Sequence, residues 1–313
     1  MIEILLNALV PIFAVMALGY FAGWIRDIDN HHVNELNALV MDFALPASLF
    51  VATASAPRAV LLAQWPLLVV LVVSMLAIYT LFYWIQRRVF GLNSSEASVQ
   101  TLTIALPNYA AAGLPLIIAV FGPAATIDVA LAIAAGSIMV SPLTLAILEA
   151  NKVGSGQRNL RGLVAVVGRS FRKPVVLGPV AGILFSLLGI PLVESLHHSF
   201  VLIGQAAGGV ALFLTGLILS GQRLELGINV LSGTLLKNVV HPLLVVGLIL
   251  VLPMDHDTAR AALLLCALPS GFFGVLFGLR YGLESQVAGS TLIVSSVASV
   301  VTLSAALVLT AGW

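Results

Sequence analysis

Residues 106–115 read Leu-Pro-Asn-Tyr-Ala-Ala-Ala-Gly-Leu-Pro, and this stretch interrupts an apolar run that otherwise extends from about Ala97 to Phe121. A proline inside a helix removes a backbone hydrogen bond and clashes with the preceding turn, which costs about 3 kcal/mol or more. In hydrocarbon, the freed backbone groups are tolerated only where protein or a water-filled cavity satisfies them. A second run, 259–279, is interrupted at 268–274 by Leu-Pro-Ser-Gly-Phe-Phe-Gly. Two such interruptions at matching places in the two halves of a chain are typical of a ligand-binding site within a membrane protein.

The composition indicates that the solvent of this chain is lipid. Of its 313 residues, 60% are hydrophobic and 9% are charged, against about 25% charged in a soluble domain. The net charge of +1 excludes a strongly basic surface for nucleic acid. The single cysteine, Cys266, lies inside an apolar run and cannot form an intrachain disulfide. The N-terminus lacks a basic segment and a cleavage site, so we predict a retained first span and not a signal peptide.

The apolar runs predict an all-α membrane protein. A transmembrane helix needs about 20 mostly apolar residues. The sequence predicts ten spans on this criterion: 2–24, 34–53, 65–86, 97–121, 124–149, 173–190, 196–220, 228–252, 259–280 and 285–310. The polar, basic stretch 150–172 is predicted to link two five-span halves, 1–149 and 173–313. Because five is an odd number, related halves would form an inverted repeat, with the fourth and ninth spans broken.

The distribution of lysine and arginine predicts the orientation. Cytoplasmic loops of membrane proteins carry an excess of these residues. With both termini outside, most of the 14 Lys and Arg residues lie in loops on the cytoplasmic side. Only Arg58 and Arg260 lie in outside loops, and Lys237 lies within a span. We therefore expect both termini outside and the 150–172 linker in the cytoplasm.

The two breaks predict a site for an anion. Breaking a span exposes a half-helix N-terminus, whose unpaired N–H groups and partial positive charge favour a negative group. The amide of Asn108 lies beside the first opening, and Ser270 holds the equivalent place in the second. The predicted substrate-binding residues are Pro107, Asn108, Tyr109, Gly113, Pro269, Ser270, Gly271 and Phe272. The alternative is that the prolines only kink packed helices and that Phe272 only packs.

Two charged residues within spans need partners. Asp42 and Lys237 are expected at similar depth, and each costs about 2.5–3.5 kcal/mol near a helix centre. One interpretation is a structural salt bridge between them. The other is functional: Asp42 binds a proton or sodium ion, while Lys237 neutralises a substrate carboxylate or replaces the cation. His241, one turn from Lys237, either relays protons or is a neutral histidine bonded to a carbonyl. Asp255-His256-Asp257 is interpreted as a solvated helix cap and not as a metal site.

Enzyme signatures are missing from the sequence. It contains no His-Glu-x-x-His zinc motif, no Gly-x-Ser-x-Gly elbow, no Walker loop and no Gly-x-Gly-x-x-Gly after a strand. We therefore predict that the protein is neither an enzyme nor an ATP-driven pump, and that it has no cofactor and no metal site, with coupling to sodium or protons left open.

The joint placement of these features resembles one known family. The five-plus-five layout, the Leu-Pro-Asn and Leu-Pro-Ser-Gly breaks, and Lys237 ahead of Pro242 resemble the auxin efflux carrier family over essentially the whole chain. The resemblance implies a secondary carrier of organic anions, and the short linker is similar to that of a bacterial malonate or malate permease. It also implies the fold of bile acid:sodium symporters. In that fold, spans one, two, six and seven form a scaffold domain, and spans three to five and eight to ten form a transport domain that moves as an elevator.

Further expectations follow from the same resemblance. Substrate, a small carboxylate such as malonate or malate, would bind at the crossover of Pro107, Asn108 and Pro269. The protein would be a multi-pass protein of the bacterial inner membrane and a homodimer through the scaffold. Coupling to protons or sodium stays open, because Ser270 and Gly271 stand where bile acid symporters have a sodium-coordinating acid. The alternatives to a coupled carrier are an uncoupled anion channel or uniporter, and a membrane sensor that does not transport.

Overall fold

The computed structural model of the chain describes residues 2–28, 33–152, 172, 174–222, 224–283 and 285–311. Within these ranges all regular secondary structure is helical, and the only strand-like pairing is a β-bridge between Pro107 and Ser270. The predicted all-α class is therefore confirmed. Most of the predicted linker 150–172 lies outside the described residues.

The helices follow the predicted apolar runs. In chain order they are α1 (Ile2–Ile25), α2 (Val33–Ala38), α3 (Leu45–Ala54), α4 (Arg58–Ala63), α5 (Trp65–Arg88), α6 (Ser94–Ala105), α7 (Leu114–Phe121), α8 (Thr126–Ile138), α9 (Val140–Lys152), α10 (Pro174–Leu188), α11 (Glu194–Gly204), α12 (Ala206–Ser220), α13 (Ile228–Leu235), α14 (His241–Ile249), α15 (His256–Ala267), α16 (Phe273–Arg280) and α17 (Gln286–Leu309). Three π-helical segments join α2 to α3, lead into α7 and join α13 to α14: π1 (Leu39–Ala44), π2 (Tyr109–Gly113) and π3 (Leu236–Val240).

Six helical stretches of the described chain have the length and apolar composition needed to cross a membrane: Val33–Ala54, Trp65–Arg88, Pro123–Asn151, Glu194–Ser220, Ile228–Ile249 and Gln286–Leu309. They coincide with six of the ten predicted spans. Shorter apolar helices occur at Val10–Ile25, Tyr109–Phe121 and Pro174–Leu188. The chain is therefore a multi-pass membrane protein.

Each π segment precedes a proline, and the missing N–H of that proline accounts for the wider turn. In all three cases the proline is the second residue of the following α-helix: Pro46, Pro115 and Pro242. A proline cannot donate a hydrogen bond to the carbonyl four residues back. The residue before each proline donates to the carbonyl five residues back: Leu45 to Val40, Leu114 to Tyr109, and His241 to Leu236. Such π turns occur frequently at functional sites.

Two groups of helices are defined by their contacts, and further contacts, such as α1 with α7 and α10 with α8, join the rest of the chain to them. In the first group α1 packs along α12, and α3 packs along α10 and α11. A Cβ on Gly178 of α10 would lie 2.6 Å from the Pro46 carbonyl oxygen, which is closer than real Cβ contacts. This glycine therefore lets α10 and α3 touch backbone to backbone, as small residues do in membranes. In the second group α6 packs against α5, α9 and α16, and α13 packs against α17.

Asp255 caps α15, the helix that leads to the second break. Its Oδ1 accepts a hydrogen bond from Thr258 N at 2.9 Å, and its Oδ2 accepts one from Thr258 Oγ1 at 2.7 Å. The interpretation of this loop as a helix cap is confirmed. Partial burial raises the pKa of the Asp255 carboxyl, but the hydrogen bonds from Thr258 outweigh burial and hold the pKa below its ordinary value.

Removing this cap is expected to destabilise the protein modestly. Asp255→Ala should lower the free energy of unfolding by about 1 kcal/mol at neutral pH, while Asp255→Asn should retain most of it, because both Asp and Asn cap well. Since the folded-state pKa is lowered, the charged form contributes stability above the unfolded pKa of about 3.9 and loses it as the pH falls through the folded value. Thermal unfolding in detergent, followed by circular dichroism, measures the difference. Equal melting temperatures for the Ala and Asn variants would contradict the capping role.

Candidate functional site

The first break begins where α6 ends. Ala105 is the last residue of α6, and π2 starts four residues later at Tyr109. Asn108 occupies the N-cap position of π2, where its Oδ1 accepts a hydrogen bond from Ala111 N at 3.3 Å. An asparagine at this place satisfies one of the N–H groups that a helix start leaves without a partner. The second break separates Ala267, at the end of α15, from Phe273, at the start of α16.

The two breaks lie against each other, as expected from the sequence. Pro107 and Ser270 form an antiparallel β-bridge, and Asn108 N donates to Pro269 O at 3.0 Å. Gly271 N donates to Thr103 O, also at 3.0 Å. Each broken segment therefore satisfies backbone groups of the other, which is how unwound backbone is tolerated inside a membrane protein.

Gly271 is required at this crossing for steric reasons. A Cβ built on Gly271 would overlap the carbonyl oxygen of Leu106 and lie 3.3 Å from that of Pro107. Both neighbours are backbone atoms of the opposite break, so they cannot turn away as a side chain could. A residue without a side chain is thus the only one that allows the breaks to touch.

Ser270 is held by its backbone, while its hydroxyl is left without a partner. Ser270 N donates to Ser295 Oγ at 2.9 Å, and Ser295 Oγ donates in turn to Asn238 Oδ1 at 2.6 Å. The Asn238 amide donates to Ser295 O at 3.1 Å and to Thr302 Oγ1 at 3.2 Å. Ser270 itself has 0% exposure, and its Oγ makes no hydrogen bond. The hydrogen bonds of Ser295 and Asn238 hold the backbone of Ser270 and therefore the position of its unpaired hydroxyl.

Tyr109 places a second buried hydroxyl beside the first break. Its side chain is 2% exposed, and the hydroxyl lies beside the thiol of Cys266 without forming a hydrogen bond of standard geometry. Buried polar atoms in native proteins nearly always have a partner, so each exception calls for an explanation. The Tyr109 hydroxyl has the Cys266 thiol beside it, so the Ser270 hydroxyl is the one of the two that is left for a polar ligand.

The side chain of Lys237 reaches the C-terminal end of α15, the helix that precedes the second break. It belongs to π3, is fully buried, and its Nζ donates to the carbonyl oxygen of Cys266 at 2.6 Å. The Nδ1 atom of His241 lies 3.5 Å from the same Nζ. The other ring nitrogen of His241 lies 3.3 Å from Ser74 Oγ. His241 is thus bonded to side chains and not to a carbonyl as one interpretation had it.

The expected ion pair between Asp42 and Lys237 is not formed. Asp42 lies in π1 and is exposed, whereas Lys237 has 0% exposure. The hydrogen bonds of Lys237 in the described chain go to Cys266 and His241, and none goes to a carboxylate. The salt-bridge interpretation was therefore wrong. The partner of the lysine is the carbonyl end of a helix, whose partial negative charge a sequence pattern does not reveal.

Thr215 of α12 connects the first helix group to the first break. The Asn108 amide donates to Thr215 Oγ1 across a long hydrogen bond of 3.5 Å, and Thr215 Oγ1 donates to Ala211 O of its own helix, α12, at 2.8 Å. Sequence reasoning missed Thr215 because a lone threonine in an apolar run most often bonds only its own helix. Ser295 and Ser74 were missed for the same reason.

Two further predicted residues, Gly113 and Phe272, make packing contacts near the crossing. A Cβ on Gly113 would lie 3.0 Å from Leu268 Cδ1, so this glycine gives room to the start of the second break. Phe272 has 0% exposure and stacks on Phe273 with 5.1 Å between the ring centroids. Among the described residues, no group of three or more His, Cys, Asp or Glu side chains could hold a metal ion.

Comparison with known proteins gives a consistent result. The chain matches the family described as "Membrane transport protein" over residues 4–307. "Uncharacterized transporter YfdV" of Escherichia coli (strain K12) is 29% identical over 308 residues, which is 96% of each chain. "Putative malonate transporter" of Rhizobium meliloti (strain 1021) is 26% identical over 308 residues, 96% of this chain and 93% of that protein. "Auxin efflux carrier component 6" of Arabidopsis thaliana is 26% identical over 148 residues, 45% of this chain and 26% of that protein.

The resemblance to the auxin efflux carriers is thereby confirmed. The family match extends over nearly the whole chain, so it includes both breaks and the helices around them. The protein belongs to this family of membrane transport proteins, whose members are transporters and not enzymes.

Proposed function

We propose that the protein is a secondary transporter of a small organic carboxylate, which binds where the two interrupted helices meet. The observation that carries this proposal is the Ser270 hydroxyl, which is fully buried at the crossing and has no hydrogen-bond partner. Leaving a buried hydroxyl unpaired costs about 1–3 kcal/mol. A bound group that accepts the proton of this hydroxyl recovers that cost.

The charges around the crossing support an anion as the bound group. The helix starts at Tyr109 and Phe273 lie next to the crossing, and helix N-termini carry partial positive charge. The Asn108 amide and the Ser270 hydroxyl are donors for carboxylate oxygens. The relative from Rhizobium, by its name, supports a dicarboxylate such as malonate, and malate belongs to the same chemical class.

The packing supports alternating access by an elevator movement. The first helix group corresponds to the proposed scaffold and the second to the proposed transport domain of an inverted repeat of ten spans. Where the groups meet, α12 presents small residues, and a Cβ on Gly208 would make only an ordinary contact, 3.7 Å from Pro115 Cδ. Such a surface allows one group to slide along the other. A dimer through the scaffold, in the bacterial inner membrane with both termini outside, completes the proposal.

Transport by reconstituted protein tests this function. Proteoliposomes preloaded with unlabelled malonate or malate should accumulate the labelled compound by counterflow. Ser270→Ala should weaken the apparent affinity by about tenfold to hundredfold, because a hydrogen bond to a charged group contributes about 1.5–3 kcal/mol.

Ser299→Ala is the matched control for this experiment. Ser299 is also fully buried, but its hydroxyl already donates to Ser296 O of its own helix at 2.7 Å. The control should transport as the wild type does. Equal losses in both variants would contradict a ligand role for Ser270. Flux without counterflow accumulation would indicate a channel, and binding without flux would indicate a sensor.

A further inference from the structure

The carbonyl end of α15 carries a negative partial charge inside the protein. The last four carbonyl groups of an α-helix have no partner within the helix, and together they amount to about half a negative charge. α15 ends at Ala267, just before the break, so the Cys266 carbonyl belongs to its last turn. Cys266 is fully buried. A buried helix end of this kind requires a cation or a hydrogen-bond donor.

Lys237 supplies both to this helix end. Its Nζ donates a short hydrogen bond of 2.6 Å to Cys266 O, and charged donors form shorter hydrogen bonds than neutral ones. The amine is held by the backbone of π3, because Lys237 lies in the π turn that precedes Pro242. A tethered cation fills its site at a high effective concentration, without being drawn from solution.

The polar atoms around Lys237 can accept hydrogen bonds from its ammonium form. Ser74 Oγ lies 3.8 Å from Cys266 Sγ and donates to Leu71 O at 3.2 Å, and with its proton on Leu71 O it accepts from Nε2–H of His241. We assign this tautomer from the network, and it leaves Nδ1 of His241 as an acceptor facing Lys237 Nζ. In the described chain, the other titratable side chains that interact with this cluster are the Cys266 thiol and the Tyr109 hydroxyl. Lys237 is therefore surrounded by acceptors and lacks a carboxylate partner.

We propose that the ammonium group of Lys237 is a resident cation at the carbonyl end of α15, in the place where a bound alkali cation would otherwise neutralise that end. The site beside the crossing therefore needs no sodium ion. This inference deepens the proposed function, and its consequence for transport rests on that function. Its consequence for stability does not, because it concerns the protein without substrate.

Rescue of a truncated lysine tests the proposal directly. Lys237→Ala removes three methylene groups and the ammonium, which together have the shape of propylammonium. The variant should melt roughly 5 °C or more below the wild type. Propylammonium chloride or sodium chloride should recover a large part of this shift, whereas choline chloride at the same ionic strength should not, because choline is too bulky to enter. The wild type should melt at the same temperature in all these salts.

Two further variants separate cation loss from general damage. Lys237→Met fills the space without a charge, so neither salt should recover its melting temperature. Asn238→Ala damages the neighbouring network around Ser295, and its loss should not respond to propylammonium either. Recovery of Lys237→Ala by choline to the same extent, or stabilisation of the wild type by sodium over choline, would overturn the proposal. The wild-type comparison can still overturn the proposal if the alanine variant cannot be purified.

Transport distinguishes this inference from the function on which it rests. Wild-type counterflow of malonate should be unchanged when choline replaces sodium. If the protein transports no organic anion but propylammonium restores Lys237→Ala, the proposed function fails and the resident cation stands. If Lys237→Ala transports fully without any added small cation, the resident cation fails and the proposed function stands.

Discussion

Replacing Gly271 with alanine is expected to abolish transport and to lower the free energy of unfolding by about 3 kcal/mol, the upper range for an overpacked site. The added Cβ would overlap the Leu106 carbonyl oxygen, so the two breaks would have to move apart. Moving them apart breaks the hydrogen bonds from Asn108 N to Pro269 O and from Gly271 N to Thr103 O. A displacement of about 1 Å in a site of this kind can reduce its activity a hundredfold.

Gly247→Ala is the matched control for Gly271→Ala. Gly247 lies in α14, and a Cβ there would meet nothing within 4 Å. Since alanine favours a helix over glycine by about 1 kcal/mol, this control should be as stable as the wild type or slightly more stable. Thermal unfolding in detergent and counterflow of malonate measure both effects. Wild-type transport by Gly271→Ala would show that the breaks do not need to touch.

Asn108→Ala is expected to reduce transport by about a hundredfold while destabilising the protein only modestly. The substitution removes the acceptor for Ala111 N, a cap that contributes about 1 kcal/mol. It also removes the amide that donates to Thr215 Oγ1 and that would meet a substrate carboxylate. The loss of one donor bond to a charged group, at up to about 3 kcal/mol, amounts to that loss in affinity.

Asn108→Ser separates the two roles of the asparagine. A serine hydroxyl caps a helix about as well as an asparagine, so the stability of this variant should return towards that of the wild type. Serine lacks the two amide donors, so transport should stay low. Measuring the apparent affinity for malonate and the melting temperature of both variants decides the point. If Asn108→Ser transports normally, Asn108 acts on the helix start and not on the substrate.

The helices and their breaks could be predicted because both depend on local chemistry. Long apolar runs form helices in lipid whatever surrounds them, since every backbone group must be satisfied within the segment. Proline also acts locally, so Leu-Pro-Asn at 106–108 and Leu-Pro-Ser at 268–270 were sufficient to place both interruptions. Their contact was expected from the relation between the two halves. The need for glycine at 271 is a consequence of that contact.

The partners of the polar side chains could not be predicted, because they depend on how helices face one another. One of the two interpretations paired Lys237 with Asp42, but Lys237 bonds the Cys266 carbonyl while Asp42 lies exposed. A helix end attracts a cation as a carboxylate does, and its position is known only when the break is seen in place. Ser295 and Thr215 give no signal in the sequence, because most serines and threonines in apolar helices bond their own backbone.

The prolines that follow the π segments have a consequence for the direction of three helices. A π turn contains one more residue than an α turn, and in an α-helix each residue advances the chain by about 100° around the axis. The α-helix that follows each π segment is therefore rotated about its axis relative to an unbroken α-helix of the same length. Pro46, Pro115 and Pro242 thus determine this rotation. The face that each helix shows its neighbours is therefore set by a proline at the helix start.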